Sequence, residues 1–426
     1  MDLRRILDST KNESIYYLNF NQDYSCFFVG KEKGFMVFNT SPLIELINLN
    51  SNPSNSTTTT TTIASTSTSI SLNKPTLENC PDIVIVEGLY KSNLIAFVGK
   101  DINSYFSPNK VILYDMSNES IIAEIQYELE IKAVRLTKYG IIVVLPTQTF
   151  IYNDHKDPKL ITTIETCYNE KGLIAVASFN KEYSHGIIIA LPGKVQGEIQ
   201  ILTLQSNVNN NNNNSNSSTS NLSSFNSLIS RIKAHKSSLA CLSISLNGEL
   251  IASASELGTL IRVFNVETRQ KTNEFRRGMD KAQIYCINFN KYLNKICVSS
   301  NKGTIHIFDL DDSPSRFIRE RSSVKFSLPY SNICAFFNES SSSSSQSSLS
   351  PTQKEVMESN EIELVSLCSN GYIYYLTCTT LRPPPNTDEF NEISHQSYKI
   401  QKKKFFKTDN DESEEDNEED NYNTSI

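Results

Sequence analysis

The sequence predicts an all-β fold, a seven-bladed β-propeller of degenerate WD-type repeats. A short strand of one build recurs seven times, and a second strand-like run lies about ten residues upstream of most copies. No long amphipathic helix appears anywhere in the 426 residues. Short runs rich in β-branched and aromatic residues, separated by turn residues, are the pattern of blades rather than of helices.

Taken in order, a first unit begins near Ile15 and closes on Gly34-Phe35-Met36-Val37-Phe38. The closing strand returns as Lys110-Val111-Ile112-Leu113-Tyr114, as Thr149-Phe150-Ile151-Tyr152 and as Gly197-Glu198-Ile199-Gln200-Ile201. It returns again at Gly258 to Phe264, at Gly303 to Phe308 and at Gly371 to Leu376. Some intervals approach the roughly 40 to 45 residues of a WD-type blade, and the longer ones contain insertions. There is no tryptophan, so the Trp-Asp signature is absent and periodicity alone defines the blades. The insertions are Ser/Thr/Asn-rich tracts near 48–72, 206–227 and 339–358. Such tracts bury too little apolar surface to offset backbone ordering and are expected to be disordered. Residues 1–400 are thus assigned to the propeller, with part of Leu381 to Ile400 completing the last blade. A basic and then acidic tail, 401–426, is expected to be disordered. Its Lys402-Lys403-Lys404-Phe405-Phe406-Lys407 patch either touches a membrane or is neutralised by the acidic residues after it.

A formal charge of −7 argues against a general nucleic-acid binder. No secretory signal follows Met1-Asp2-Leu3-Arg4-Arg5, and no apolar run reaches the roughly 18 to 20 residues of a membrane span. Nine cysteines are scattered without Cys-x-x-Cys spacing, mostly inside apolar runs, which reads as buried thiols of a cytosolic protein. No nucleophile elbow, phosphate-binding loop, dinucleotide fingerprint or His-Glu-x-x-His motif is present, and the five histidines show no triad or metal spacing. A non-enzymatic protein without metal or cofactor is expected.

The informative stretch is Asn273-Glu274-Phe275-Arg276-Arg277-Gly278, between two segments of the same build. Successive side chains of an extended chain point to opposite sides, so Arg276 and Arg277 reach toward different neighbours. Both are expected to face solvent. Upstream stand His235, Ser253, Ser255, Gly258, Thr259 and Arg262; downstream stand Ser300, Thr304 and His306. Each set combines small hydroxyls on a turn, a Gly-Thr pair and a cationic or imidazole side chain. A phosphorylated headgroup needs this mixture: planar paired donors, hydroxyls for the remaining oxygens, and a glycine that lets backbone approach. Ser-x-Ser turns followed by a histidine are also the hydrogen-bond scaffold of many propeller blades.

Phe275-Arg276-Arg277-Gly278 resembles the marker of the PROPPIN (WIPI) family, a Phe- or Leu-Arg-Arg-Gly motif. Phe20-Asn21-Gln22-Asp23, Pro108-Asn109-Lys110-Val111, Glu165-Thr166-Cys167-Tyr168-Asn169 and Ile284-Tyr285-Cys286-Ile287-Asn288-Phe289 also look like family blades, most similar to the smaller WIPI members. The resemblance implies a monomeric peripheral membrane effector of autophagy, binding phosphatidylinositol 3-phosphate and the 3,5-bisphosphate. It would work from the cytoplasm on phagophore, pre-autophagosomal and endosomal membranes, with an autophagy lipid-transfer protein as partner. Carried over by residue, site 1 comprises Ser253, Ser255, Gly258, Thr259, Arg262, Arg276 and His235. Site 2 comprises Arg277, Ser300, Thr304 and His306, with Gly278 shaping the turn. The family's membrane-inserting loop corresponds to the short segment Asp311 to Val324, where Arg316, Phe317, Ile318 and Arg319 would meet the bilayer. The competing expectation is a WD-type protein scaffold whose arginine pair contacts an acidic peptide.

Overall fold

Seven antiparallel sheets follow one another along the chain in a computed structural model that describes residues 15–50, 81–181, 184–207, 225–310, 322–337, 359–381, 395–406 and 419–422. Blade 1 holds β1 (Ile15–Phe20), β2 (Cys26–Lys31), β3 (Gly34–Asn39) and β4 (Ile44–Asn50). Blade 2 holds β5 (Ile83–Gly88), β6 (Leu94–Gly99), β7 (Lys110–Asp115) and β8 (Ser120–Gln126). Blade 3 holds β9 (Ala133–Thr137), β10 (Gly140–Val144), β11 (Gln148–Asn153) and β12 (Lys159–Glu165). In blade 4, β13 (Ala175–Lys181) and β14 (Ser184–Pro192) are followed by β15 (Glu198–Asn207) and β16 (Phe225–Lys233). Blade 5 comprises β17 (Leu239–Ile244), β18 (Leu250–Ser255), β19 (Leu260–Asn265) and β20 (Lys271–Arg276). Blade 6 comprises β21 (Ile284–Phe289), β22 (Lys295–Ser300), β23 (Thr304–Asp309) and β24 (Val324–Ser327). Blade 7 has a fifth strand: β25 (Asn332–Phe336), β26 (Ser359–Cys368), β27 (Tyr372–Leu381), β28 (His395–Lys404) and β29 (Glu419–Tyr422). The arrangement is the expected seven-bladed propeller.

Burial follows from stacking blades face to face. Inner strands are covered on both sides, so β2 and β10 are buried at every position. Outer strands meet a neighbour only at intervals: β12 and β20 are mostly exposed or half-buried, with one buried residue each, Ile164 and Phe275. The recurring strand seen in the sequence is the third of each blade and does not close it. The fourth escaped notice because sequences such as Lys-Thr-Asn-Glu-Phe-Arg in β20 have few β-branched residues.

Each sheet is formed by strands consecutive in the chain, so the ring closes by packing between blades 1 and 7. Phe405 stands 5.0 Å from Phe27 and 5.7 Å from Phe38, centroid to centroid, and Tyr375 Oη donates to the Thr40 carbonyl at 2.6 Å. This contact carries blade 7 past residue 400, where the sequence placed the propeller's boundary. Phe405 is 7% exposed, β28 runs through Lys404, and Glu419–Tyr422 pairs with β28. The three tracts read as insertions lie largely outside the described residues; at their margins β4 reaches Asn50, β15 reaches Asn207 and β16 starts at Phe225. Seven of the eight described cysteines are buried. No helix among the described residues is long and apolar enough to cross a membrane.

Candidate phosphoinositide grooves

Register places the first set of side chains on one face of blade 5. Ser253 in β18 lies opposite Arg262 in β19, Arg262 lies opposite Glu274 in β20, and Leu260 lies opposite Arg276. Period-two alternation then puts Ser253, Ser255, Arg262, Glu274 and Arg276 toward blade 4. Phe275 points the other way: it is fully buried and stacks on Phe308 of blade 6 at 4.8 Å.

In the groove between blades 4 and 5, the His235 ring places Nε2 3.0 Å from Ser253 Oγ. Arg262 donates from Nη1 to the Ala234 carbonyl at 2.6 Å and from Nε to Glu274 Oε2 at 2.8 Å. Lys271 Nζ donates to the same carboxylate oxygen at 2.9 Å. Burial, and then the neighbouring Arg262 charge, pushes the His235 pKa down to about 4, against the opposing effects of Ser253 and Glu274. The imidazole is therefore neutral at neutral pH. Arg276 is half-buried on the same face and has no hydrogen-bond or ion-pair partner among the described residues.

The groove between blades 5 and 6 is built differently. Arg277, like Arg276, is half-buried where both were expected to face solvent, and it is tied to backbone. Its Nε donates to the Gly258 carbonyl at 2.8 Å, its Nη2 donates to the Asp280 carbonyl, and its main-chain N–H donates to Thr259 O at 3.0 Å. Burial draws the guanidinium pKa below its ordinary value, with Asp280 opposing; an arginine nonetheless stays charged. His306 is 6% exposed, lies parallel to Phe308 and has Nδ1 3.3 Å from Ser322 Oγ. Burial first, then the charges of Lys325 and Arg277, pushes its pKa down to about 4. Ser300 is buried, Thr304 is half-buried opposite Ser327, and Lys325 pairs across from His306.

Glycine matters at two of the three positions singled out. Gly258 and Gly303 adopt φ of +63° and +74°, and a Cβ would sit 1.8 Å from Ala282 O and 2.2 Å from Leu328 O respectively. These glycines let the next segment press against the turn. Gly278, expected to shape the turn after the arginines, has nothing within 4 Å of an added Cβ. Packing within the chain does not demand a glycine there.

The structure thus brings His235, Ser253 and Arg262 into contact and sets Ser255 and Arg276 on the same face. Arg277, Ser300, Thr304 and His306 gather one blade further on. Thr259 contributes its carbonyl to the arginine turn. Arg316, Phe317, Ile318 and Arg319 lie outside the described residues. Sequence reasoning missed Glu274 and Lys325. Glu274 was findable, being two residues before Arg276 on the same side of a strand. Lys325 carried no signal, because its short strand stands apart from any recognisable repeat. Among the described residues no group of three His, Cys, Asp or Glu side chains is placed to hold a metal ion.

Known proteins resemble the chain in sequence and in fold. Residues 54–328 match the family model described as PROPPIN. Autophagy-related protein 18e of Arabidopsis thaliana is 31% identical over 348 residues, covering 76% of this chain and 79% of that protein. Autophagy-related protein 18 of Yarrowia lipolytica is 31% identical over 302 residues, covering 70% of this chain and 67% of that protein. Among solved structures, Kluyveromyces lactis Hsv2 superposes with a TM-score of 0.60 at 18% identity, covering 92% of this chain and 99% of that one. A structure titled as a complex of KlAtg21 with the coiled-coil of AgAtg16 gives 0.57 at 20% identity, covering 92% and 100%. At these identities the structural likenesses speak to the fold.

Proposed function

Because the chain belongs to the PROPPIN family, we propose that it is a non-enzymatic peripheral membrane effector of autophagy that reads phosphorylated inositol headgroups in the grooves flanking its arginine pair. The observation that carries this reading is the alternation around Phe275. That ring is buried against blade 6, Arg276 lies on the blade 4 side, and Arg277 turns back over the Gly258 turn toward His306. Each groove therefore receives one guanidinium of the pair and one neutral imidazole beside buried serine, Ser253 and Ser255 in the first and Ser300 in the second, and the first also holds Arg262.

A 3-phosphate entering the first groove accepts hydrogen bonds from Arg276 and from serine and imidazole donors, with Arg262 held by Glu274 at its margin. In the second groove Arg277 and Lys325 supply charge, and Ser300, Thr304 and His306 supply neutral donors. A bisphosphate engages the same donors with one further phosphate. Two weak sites on one rim strengthen each other on one membrane, since the first contact raises the effective concentration for the second. The segment with Phe317 and Ile318 adds apolar burial in the bilayer. The blades away from this rim then present a surface to an autophagy partner, a lipid-transfer protein in this reading. That KlAtg21 is solved with a coiled-coil of AgAtg16 supports a platform role.

Calorimetry with short-chain phosphatidylinositol 3-phosphate tests the proposal. Two headgroups should bind per chain, and Arg276→Ala or Arg277→Ala should each leave one, with a loss of roughly 1.5 to 3 kcal/mol at the affected groove. A wild-type stoichiometry of one, or loss of the same site in both variants, refutes the two-groove reading. Absence of any binding hands the arginine pair to the protein-scaffold alternative.

A further inference from the structure

Two apolar side chains stand exposed on the segments that Arg277 ties together, and we infer that this pair, Leu257 and Met279, is an apolar wedge that enters the lipid layer beside the second groove. This rests on the membrane reading above and extends it to the hydrocarbon attached to the headgroup.

Leu257 belongs to the turn between β18 and β19, and Met279 to the link from β20 to β21. In blades built of consecutive antiparallel strands both connections fall on one rim, that of the arginine pair. The link presses on the turn: Gly258 takes φ of +63°, and the Ala282 N–H donates to the Leu257 carbonyl at 3.1 Å. Arg277 then joins the two, since its Nε donates to the Gly258 carbonyl and its Nη2 to the Asp280 carbonyl. The guanidinium of the second groove thus fixes the backbone next to each apolar side chain. Leu257 is 53% exposed, and Met279, at 85%, is the most exposed large apolar side chain among the described residues. The fold does not ask for an apolar residue at 279. Lys233 and Arg276 hold equivalent places, each opposite the first residue of its third strand, so Lys236 stands on the link between blades 4 and 5 where Met279 stands on the next.

A lipid accounts for the pair better than a protein does. Two side chains offer far less than the roughly 1,200 Å² that stable protein interfaces bury. A phosphoinositide, by contrast, keeps its diacylglycerol, so a headgroup held beside Arg277 brings hydrocarbon to the same connections. Methionine is unbranched and adaptable, which suits a surface without fixed shape. The carbonyls of Leu257, Gly258 and Asp280 already accept hydrogen bonds, so less bare backbone polarity enters the lipid with the side chains. Glu256 and Asp280 are matched in number by Arg277 and Lys281, so the two connections together do not repel an anionic leaflet.

The chain has no tryptophan, so Met279→Trp places a single fluorophore in the full-length protein. On phosphatidylcholine vesicles carrying phosphatidylinositol 3-phosphate, its emission should shift to the blue and be quenched by brominated acyl chains. Tyr292→Trp, on the opposite rim and 73% exposed, should show neither effect. Leu257→Ser/Met279→Ser should bind these vesicles roughly tenfold more weakly than wild type. The same variant should bind soluble inositol 1,3-bisphosphate as wild type does. An unshifted emission on vesicles that the protein binds, or an unchanged vesicle affinity of the serine variant, overturns the proposal and leaves the pair to a protein ligand or to none. Failure of soluble inositol 1,3-bisphosphate to bind wild type counts against the headgroup grooves alone. The vesicle measurement still decides in that case: a blue shift at Met279→Trp supports the wedge, and a protein that binds no vesicle shows none and refutes it.

Discussion

The two grooves beside the arginine pair hold similar chemistry by different means. Between blades 4 and 5, the pre-formed cation is Arg262, fixed by Glu274 and the Ala234 carbonyl, while the side chain of Arg276 beside it has no partner among the described residues. Between blades 5 and 6, Arg277 is itself the fixed cation, held by two backbone carbonyls. One groove thus contains a committed and an uncommitted guanidinium. The other contains a committed guanidinium next to Lys325 and a deeply buried imidazole. The difference teaches that two neighbouring residues of identical type can meet unlike surroundings, one held by backbone carbonyls and one not, because alternation delivers them to different faces.

The partition between the grooves should be the easiest thing to break. Phe275 is fully buried and stacked on Phe308, so Phe275→Ala should cost about 3 to 5 kcal/mol in denaturant unfolding and disturb both sides together. Phe275→Leu should cost under about 1.5 kcal/mol and keep two sites. A small loss for the alanine variant would show that the ring does not set which way each arginine points.

The arginines themselves should separate next. Arg277→Ala removes donors from the Gly258 and Asp280 carbonyls and should lower stability by about 1 kcal/mol. Arg276→Ala should stay within about 0.5 kcal/mol of wild type. Equal losses would erase the contrast between committed and uncommitted side chains.

The smallest effect is one the grooves share. His235 and His306 have pKa values near 4 when folded, against 6.5 for an ordinary imidazole, so the unfolded chain binds protons first. Their contribution is complete above about pH 6.5 and is lost as pH falls toward 4. His235→Gln and His306→Gln should each flatten the stability–pH slope over that window, measured as denaturation midpoints. His155, whose pKa is also lowered by burial, leaves a residual slope in the double variant. An unchanged slope in both single variants would mean that neither ring is as buried as described.

Much of this was readable before any coordinates, and the reasons are local. The third strands announce themselves through β-branched and aromatic runs ending at glycine turns, and Gly258 and Gly303 prove to be positions where only glycine fits. The opposed directions of Arg276 and Arg277 follow from strand alternation alone. What stayed hidden depends on partners remote in the chain. That Arg277 would be held by Gly258, that Lys325 would face His306, and that Phe405 would find Phe27 are facts of tertiary placement. The tail was expected to be disordered because six residues of lysine and phenylalanine say nothing of an aromatic pocket more than three hundred residues earlier.

That pocket has a bearing on how the chain is made. Synthesis delivers blade 1 first and blade 7 last, so Phe27 and Phe38 must wait uncovered while most of the protein emerges. With no strand exchanged across the seam among the described residues, no strand ladder spans it there, and side-chain docking has to finish the job. Phe405 can perform that step only once it has cleared the ribosome, after all the strands up to β28 have been made. Nascent chains shorter than this leave Phe27 and Phe38 without that cover, and exposed apolar surface of this kind is what chaperones bind.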